Sequence, residues 1–515
     1  MSAMDRLVDA QVRRQRLVVY GPVLILVMLA LVARLHGISV PVIWYDEAYS
    51  LLLSERSPAQ IWAITAGDVH PPLYYLILHY WTMVFGNSTF SARSLSTLAD
   101  IGTLVLCIKL MSLIATRRAA LIAGVLLVLL PISVRYSQEA RMYALLGFWL
   151  MAATVALVCW SRQPHLKRYP VMYVLLMTSA FYTHYFAALC VLVHWVYWSG
   201  VGSGESASLP GRKWLAANVA IVTLYSPWLP HFIDQAWKMK GLEWIAPTTW
   251  EILPSFIAQC AAMISASDGG LRGALIVSGL MIACCVVSLR YRRRDRRSTL
   301  LLIAYFFVPV ITVFFLSWAV PIFVPRYLVF AAAGLPLIVA VALDRLAEHR
   351  PVIAFLCLSA FITGEVHGLL NVYSQQDGLN GTFIRKMARL DTLAEGIKRQ
   401  AEAGDEIVVD GIYWYLPFSY YNSTGIQPRL YISSSPTGGP NGPLDFGGWL
   451  LIPQRLDWIF FNNVSTVKLS SKRVWWVTGR PRPEYVLTFP PWWKQTQTLK
   501  GEEVEARLYI LDGER

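Results

Sequence analysis

Long apolar segments separated by short polar stretches occupy the first 370 residues of the chain. A helix needs about 20 apolar residues to cross a bilayer. We therefore predict about eleven transmembrane helices, at roughly residues 17–35, 90–115, 119–135, 141–160, 169–183, 186–200, 214–232, 273–289, 299–319, 327–343 and 351–370.

The pattern changes after Asn371, where apolar residues come in short runs between polar ones. Residues 385–403 have helical spacing, and residues 406–410, 473–478 and 507–511 are typical of strands. Residues 438–448 are predicted to be a loop without a phosphate-binding glycine pattern. We predict a transmembrane domain over 1–370 and a small α/β domain over 371–515.

Basic clusters between the apolar segments indicate the membrane orientation, because cytoplasmic loops are enriched in Lys and Arg. An even number of crossings must then separate consecutive clusters. Residues 71–85 would break this parity as a span, so we predict an amphipathic helix at the membrane interface, and we interpret residues 250–266 in the same way. The N-terminus is expected in the cytoplasm and the C-terminal domain outside it, in the inner (plasma) membrane. The clusters lie at residues 13–16, 117–118, 162–168, 212–213, 290–297 and 345–350.

Composition supports an integral membrane protein, since 56% of the residues are hydrophobic and only 15% are charged. Nearly all of the net charge of +13 falls in residues 1–370, where it reports orientation and not nucleic-acid binding. No small-residue cleavage site follows the first apolar segment, so we expect a retained span. The seven cysteines fall in apolar segments, which favours neither a disulfide framework nor a thiolate metal site.

Polar clusters stand at the edges of several apolar segments. They include WYDEAYS at residues 44–50, DVHPPLYY at 68–75, RYSQEARMY at 135–143 and PRY at 325–327. A carboxylate at a membrane exit is partly desolvated, which raises its pKa and suits it to accept a proton from a hydroxyl. Asp46 and Glu47 are therefore candidate catalytic residues, although a pair of solvated acids in a loop is the alternative interpretation.

These motifs, with YTHYF at residues 182–186 and PRYLVFAAAGLP at 325–336, resemble the family 39-type, polyprenyl-phosphate-dependent glycosyltransferases of the GT-C superfold. That group includes protein O-mannosyltransferases, the lipid A aminoarabinose transferase and RgtA-like bacterial sugar transferases. The resemblance implies a polytopic α-helical membrane protein of GT-C type, with juxtamembrane helices and a C-terminal α/β extracytoplasmic domain. It also implies transfer of a sugar from a polyprenyl-phosphate donor to a hydroxyl of a lipid, polysaccharide or protein.

Site residues follow from the resemblance and from the charge that the reaction develops. Asp46 matches the family's first-loop acid, with Glu47 beside it, and Glu139 matches the acid of the second outer loop. Arg326, with Arg141 and His70, is expected to bind the donor phosphate. His70 stands where the aminoarabinose transferases have a lysine, and a histidine is only partly charged near neutral pH. The expected sugar pocket comprises Tyr45, Tyr74, Tyr75, Tyr136, Tyr143, His184 and Tyr185.

Structural roles remain open for several of these residues. Arg326 could be an interfacial arginine, Arg141 could pair with Glu139 or Glu47, and the tyrosines could belong to an aromatic belt. Asp100 lies inside an apolar segment, and we expect a buried partner such as Arg93 rather than a catalytic role.

We expect no obligatory cofactor, because a donor with one phosphate has little charge to neutralise. Mg²⁺ or Mn²⁺ held by Asp46, Glu139 and His70 is the alternative. The C-terminal domain is interpreted as a structural cap or as a grip on the acceptor. A lipid or solute transporter and a non-catalytic envelope scaffold are the competing functions, but we find no internal repeat or paired half-helices that would favour a transporter.

Overall fold

The computed structural model describes residues 20–201, 209–238, 242, 244–264, 270–290, 296–432, 446–452, 460–461, 464, 471–480 and 488–512. Several predictions therefore lie partly or wholly outside the described residues. They concern the basic cluster at 13–16, the start of the first span before Tyr20, the basic residues 291–295 and the loop residues 438–445.

The described helices and strands follow each other in this chain order. The helices are α1 Tyr20–Leu35, α2 Tyr45–Ser54, α3 Pro58–Gly67, α4 Leu73–Phe85, α5 Thr89–Ile114, α6 Arg117–Leu129, α7 Pro131–Ser137, α8 Tyr143–Arg162, α9 Arg168–Thr183, α10 Ala187–Ser199, α11 Gly211–Tyr225, α12 Leu229–Lys238, α13 Ile252–Ala262, α14 Leu271–Arg290, α15 Arg296–Leu316, α16 Val329–Ala332, α17 Gly334–His349, α18 Pro351–Tyr373, α19 Thr382–Met387, α20 Leu390–Gln400 and α21 Ile412–Tyr421. Short 3₁₀ helices cover Pro325–Leu328 and Gly447–Leu451. The strands are β1 Glu406–Asp410, β2 Arg429–Tyr431, β3 Phe460–Phe461, β4 Arg473–Gly479, β5 Trp493–Gly501 and β6 Val504–Leu511.

The chain forms two compact units. The first unit contains Met1–Ile38, Arg93–Ile233 and Leu242–Asp377, and the second contains Ser39–Ala92, Asp234–Gly241 and Gly378–Arg515. The second unit thus takes in the predicted first outer loop as well as the C-terminal part. The membrane placement of the predicted domains 1–370 and 371–515 stays a prediction.

The first unit is helical and apolar, as expected for a multi-pass membrane protein. Among the described residues, six segments are long and apolar enough to cross a bilayer, and the pair α6 and α7 would add a seventh. The predicted number of eleven stays a prediction, because α9, α10 and α11 are shorter than a full crossing.

The predicted span over 119–135 is not one straight helix, because the chain bends by 55° between α6 and α7, and its crossing of the membrane stays a prediction. Pro131 is the first residue of α7, and a residue before proline avoids the helical conformation, as Leu130 does with ψ of 106°. The side chain of Arg34 donates hydrogen bonds of 3.0 Å to the carbonyl oxygens of Leu127 and Val128 at the end of α6. The break is therefore stabilised by a buried arginine.

Asp100 has a buried partner, as predicted, but this partner is Arg34, and the choice of Arg93 is wrong. The Arg34 Nε donates to the Asp100 carboxylate at 2.5 Å, and the side chains are 1% and 8% exposed. Ser133 Oγ donates to the second carboxylate oxygen at 2.5 Å, while Arg93 donates to the carbonyl oxygen of Ile38. The buried charge on α5 therefore links α1 to the start of α7.

The second unit contains a mixed sheet, which in the described part of the chain has the strand order β3-β2-β1-β4-β6-β5. β3, β2, β1 and β4 run parallel to one another, and β6 pairs antiparallel with β4 and β5. Val408, Trp476 and Tyr509 lie in its apolar core. The three predicted strands are confirmed, but the predicted helix over 385–403 is interrupted at Ala388–Arg389, between α19 and α20.

Candidate functional site

The arginine and histidine residues predicted for the site in the first unit lie at interruptions between helices. Arg141 lies in the connection from α7 to α8, His184 lies between α9 and α10, and Arg326 lies in the 3₁₀ helix before α16. Their exposures are 4%, 3% and 7%. Within a membrane protein, non-helical backbone occurs where it is buried in protein or lines a cavity.

Aromatic rings bring these interruptions together. The His184 ring centroid is 5.2 Å from Tyr327 and 6.2 Å from Tyr143, and these two tyrosine rings are 6.2 Å apart. We use the name arginine–histidine cluster for Arg141, His184, Arg326, Tyr143, Tyr327 and Trp244.

Both arginines of the arginine–histidine cluster stack on aromatic faces. The Arg326 guanidinium carbon is 4.9 Å from the Trp244 ring centroid, and that of Arg141 is 6.0 Å from the Tyr143 centroid. Such stacking holds a guanidinium by its face, while its N–H donors point outward in the plane of the group. The arrangement suits two-point recognition of phosphate oxygens.

His184 is neutral near physiological pH. Burial and the positive charges of Arg141 and Arg326 lower the pKa of His184 to about 3. Its Nδ1 accepts a hydrogen bond from the Phe186 backbone N–H at 3.1 Å, so the ring proton resides on Nε2. The positive charge of the cluster is therefore carried by the two guanidinium groups, and the histidine adds a neutral polar surface.

Glu139 forms a buried ion pair with Arg135. The Arg135 Nη1 to Glu139 Oε2 distance is 2.6 Å, and Arg135 Nε is 3.3 Å from Asp377. A buried carboxylate held in an ion pair commonly has a structural role, because removing either partner leaves an uncompensated charge. This contact favours a structural role for Glu139, and its predicted catalytic role stays a prediction.

The remaining predicted pocket residues of the first unit are Tyr136 and Tyr185. Tyr136 is buried with its ring 5.7 Å from Tyr143, adjacent to the arginine–histidine cluster. The Tyr185 ring lies 4.8 Å from Phe232, and its hydroxyl accepts a hydrogen bond of 3.1 Å from the Trp228 indole.

In the second unit, Tyr45, Asp46 and Glu47 form the first turn of α2, and they do not lie in a loop. Acidic residues are favoured there, because they lie at the positive end of the helix dipole. Glu47 is fully buried with Arg385 Nε at 3.9 Å, whereas Asp46 is only partly buried. The two adjacent acids therefore have different environments, and Asp46 is the more accessible.

Sequence reasoning did not assign Asp68 and Arg385. The Asp68 carboxylate accepts hydrogen bonds from Tyr49 Oη at 2.8 Å and from the Gly447 backbone N–H at 3.1 Å. Asp68 is part of the DVHPPLYY motif, which was a usable signal, but Arg385 lies more than 330 residues from Glu47 without a local signal. Both residues fix the environment of α2.

Tyr45 is held by a close backbone contact. Its hydroxyl accepts a hydrogen bond from the Gly448 N–H at 3.0 Å, and burial raises the pKa of this hydroxyl above its ordinary value of 10. A Cβ atom at Gly448 would lie 2.6 Å from the Tyr45 hydroxyl, so only glycine fits here without a shift.

The DVHPPLYY motif supplies the remaining predicted residues. Tyr74 and Tyr75 are fully buried in α4, with ring centroids 5.6 Å apart, and Tyr75 lies 5.9 Å from Tyr49. His70 is half-buried and directly precedes Pro71. The structure thus connects Tyr75 through Tyr49 to Asp68.

The described residues contain no group of three or more His, Cys, Asp or Glu side chains that could hold a metal ion. Of the predicted metal candidates, Asp46 and His70 belong to the second unit, and Glu139 of the first unit is paired with Arg135. Divalent-metal binding at these residues stays a prediction.

Residues 69–231 match the sequence model of the dolichyl-phosphate-mannose-protein mannosyltransferase family. A comparison with curated proteins finds no match. The matched segment contains the RYSQEARMY and YTHYF motifs and all of DVHPPLYY except Asp68.

The fold is similar to that of ArnT from Cupriavidus metallidurans. The apo crystal structure matches with a TM-score of 0.63 and 14% identity, over 97% of this chain and 100% of that chain. The undecaprenyl-phosphate-bound structure matches with a TM-score of 0.61 and 15% identity, over 96% and 100%. Archaeal oligosaccharyltransferase AglB from Archaeoglobus fulgidus gives a lower TM-score of 0.49 at 11% identity, over 89% and 69%.

The predicted resemblance is thereby confirmed. The chain has the GT-C fold, with apolar helices followed by a C-terminal sheet, and residues 69–231 are similar to the mannosyltransferase family model. The solved structures therefore show the fold, and the family match is limited to residues 69–231.

Proposed function

We propose that this protein transfers a sugar from a polyprenyl-phosphate donor to a hydroxyl group of an acceptor outside the cytoplasm. The observation that carries the proposal is the arginine–histidine cluster, in which two buried guanidinium groups stack on aromatic rings beside a neutral histidine. Two guanidinium groups held on ring faces suit the recognition of an anion with several oxygens, such as a phosphate. The similar structure of ArnT with undecaprenyl phosphate supports a lipid phosphate as that anion.

The proposed reaction forms one bond and breaks one. The acceptor oxygen attacks the anomeric carbon of the sugar, and the bond from that carbon to the phosphate oxygen breaks. The hydroxyl proton moves to a carboxylate, for which we propose Asp46 because it is the accessible acid of the pair on α2. Polyprenyl phosphate leaves with additional negative charge, which Arg326 and Arg141 stabilise.

His70 and the tyrosines keep supporting roles in this proposal. Tyr143 and Tyr136 offer ring faces next to the two arginines, and Tyr45, Tyr74 and Tyr75 shape the surroundings of α2. Because the arginines neutralise a single phosphate, we propose that transfer needs no divalent metal. We further propose that the N-terminus is cytoplasmic and that the C-terminal domain lies outside the inner (plasma) membrane.

A transfer assay with purified full-length protein tests the proposal. Labelled polyprenyl-phosphate sugar and a panel of lipid, glycan and peptide acceptors are supplied, and release of free polyprenyl phosphate is measured. We expect release that depends on an acceptor, whereas a transporter would leave the donor intact.

The variant Asp46→Asn should lower the transfer rate by about 10²- to 10⁴-fold, the usual contribution of a general base. A matched control is Asp512→Asn, since Asp512 forms an exposed ion pair with Lys494 at 2.9 Å. Full activity of a folded Asp46→Asn protein would reject Asp46 as the base, and no release with any acceptor would reject the function.

A further inference from the structure

A second charged cavity lies in the first unit, apart from the arginine–histidine cluster. It has a volume of about 410 Å³ and is enclosed by the C-terminal ends of α5, α8 and α17 and the N-terminal ends of α6 and α15. No residue of the proposed reaction lines it.

The cavity and the arginine–histidine cluster lie at opposite ends of the same helices. α8 begins at Tyr143, next to Arg141, and ends at Arg162, which lines the cavity. Twenty helical residues rise about 30 Å, which is the thickness of the hydrocarbon core. The apolar segment Pro325–His349 likewise has Arg326 near its start and Arg345, a second lining residue, near its end. With the predicted membrane placement, the cavity faces the membrane surface opposite to the arginine–histidine cluster.

Arginine side chains dominate the charge of the cavity. Asp344 is already neutralised, because Arg118 Nε lies 2.5 Å from its carboxylate and Arg118 Nη2 donates to its carbonyl oxygen at 2.6 Å. Arg345 is 9% exposed and donates to Thr299 Oγ1 at 3.3 Å, whereas Arg162 is exposed. The exposed Glu348 offsets one of these two positive charges, so the lining together with Arg118 carries a net charge of +1.

A smaller part of the lining is apolar and includes Leu113, Ile114, Leu302 and Val341. A free inorganic anion gains nothing from such a wall. A phospholipid gains binding energy from the apolar residues, because its phosphate is joined through glycerol to acyl chains that prefer apolar contacts. Basic pockets between helices at a membrane surface are suited to anionic headgroups.

We propose that this cavity binds the headgroup of an anionic phospholipid, with Arg162 and Arg345 contacting its phosphate. Arg162 is positioned to meet the phosphate at the entrance, and the buried Arg345 provides the inner contact beside the Thr299 hydroxyl. A lipid bound at this site would contact α5, α8, α15 and α17 at the same time, because the ends of these helices form the cavity.

Native mass spectrometry of the full-length protein in detergent tests this site. Phosphatidylglycerol and phosphatidylcholine are added at equal concentration, and the retained lipid is measured. We expect preferential retention of phosphatidylglycerol, and about tenfold weaker retention in Arg162→Gln and in Arg345→Gln, as for the loss of one hydrogen bond to a charged group. Arg168→Gln is the matched control, because Arg168 is an exposed arginine six residues from Arg162 that does not line the cavity.

Two further measurements complete the test. The unfolding temperature without lipid reports whether the Arg345→Gln protein is folded. If it is not folded, Arg162→Gln still tests the site, because Arg162 is exposed and its replacement should leave the fold intact. Equal retention of both lipids, or equal effects of Arg162→Gln and Arg168→Gln, would overturn the proposal. If inorganic phosphate stabilises the protein as much as phosphatidylglycerol does, the ligand is a free anion and the lipid assignment is wrong.

Discussion

Arg326 provides the sharpest test of the donor-phosphate assignment. Its side chain is 7% exposed and stacks on Trp244 at 4.9 Å, so its position is fixed before a ligand binds. Replacing it by Gln removes a charge-assisted contact to phosphate, which is worth about 1.5–3 kcal/mol. At about 1.4 kcal/mol per factor of ten, the affinity for donor should fall roughly tenfold to a hundredfold.

The assay measures the KM for polyprenyl-phosphate sugar at saturating acceptor, using purified Arg326→Gln and Arg326→Lys. The lysine keeps the charge but lacks the planar fork of donors, so we expect an intermediate KM. Arg168→Gln is the control, because Arg168 also stacks on its neighbouring tyrosine, at 4.8 Å, but is exposed. A folded Arg326→Gln protein with wild-type donor KM would refute the assignment.

Three other predictions concern Asp100, His184 and Gly448. Asp100→Asn leaves the buried Arg34 without its charge partner and should destabilise the protein by about 3–5 kcal/mol in a thermal unfolding assay, while Arg34→Met combined with Asp100→Leu should recover most of that loss. His184 has a folded-state pKa of about 3, below its ordinary 6.5, so the unfolded chain binds the extra proton between these values. Stability should then fall as the pH is lowered from 6.5 towards 3, by about 1.4 kcal/mol per pH unit, and His184→Asn should lack this contribution to the slope of unfolding temperature against pH. Gly448→Ala should displace the Tyr45 ring and lower both the unfolding temperature and the transfer rate, and unchanged values would show that the Tyr45 contact is unimportant.

Sequence patterns predicted the helices and strands well where residues close together in the sequence determine the structure. Apolar runs marked the long helices, and alternating residues marked β1, β4 and β6. The bend between α6 and α7 was signalled by Pro131, but a pattern of apolar residues across it concealed the break. The partner of Asp100 could not be read, because Arg34 is 66 residues away and nearer candidates such as Arg93 were equally compatible.

Sequence patterns predicted single residues of the candidate site, but they did not predict which of these residues lie close together. The motifs identified Arg141, His184 and Arg326 individually, and only the fold shows that Tyr143 and Tyr327 join them. The different environments of Asp46 and Glu47 depend on which face of α2 each occupies and on the distant Arg385. Such differences arise from tertiary packing, which adjacent positions in a sequence do not report.

The central claim is that the arginine–histidine cluster binds the phosphate of the lipid donor. A cryo-electron microscopy map of the protein with bound polyprenyl phosphate tests it most directly. We predict phosphate density within hydrogen-bond distance of Arg326 or Arg141, next to the rings of Tyr143 and Tyr327. Phosphate density held by other residues, with no contact to either arginine, would contradict the account.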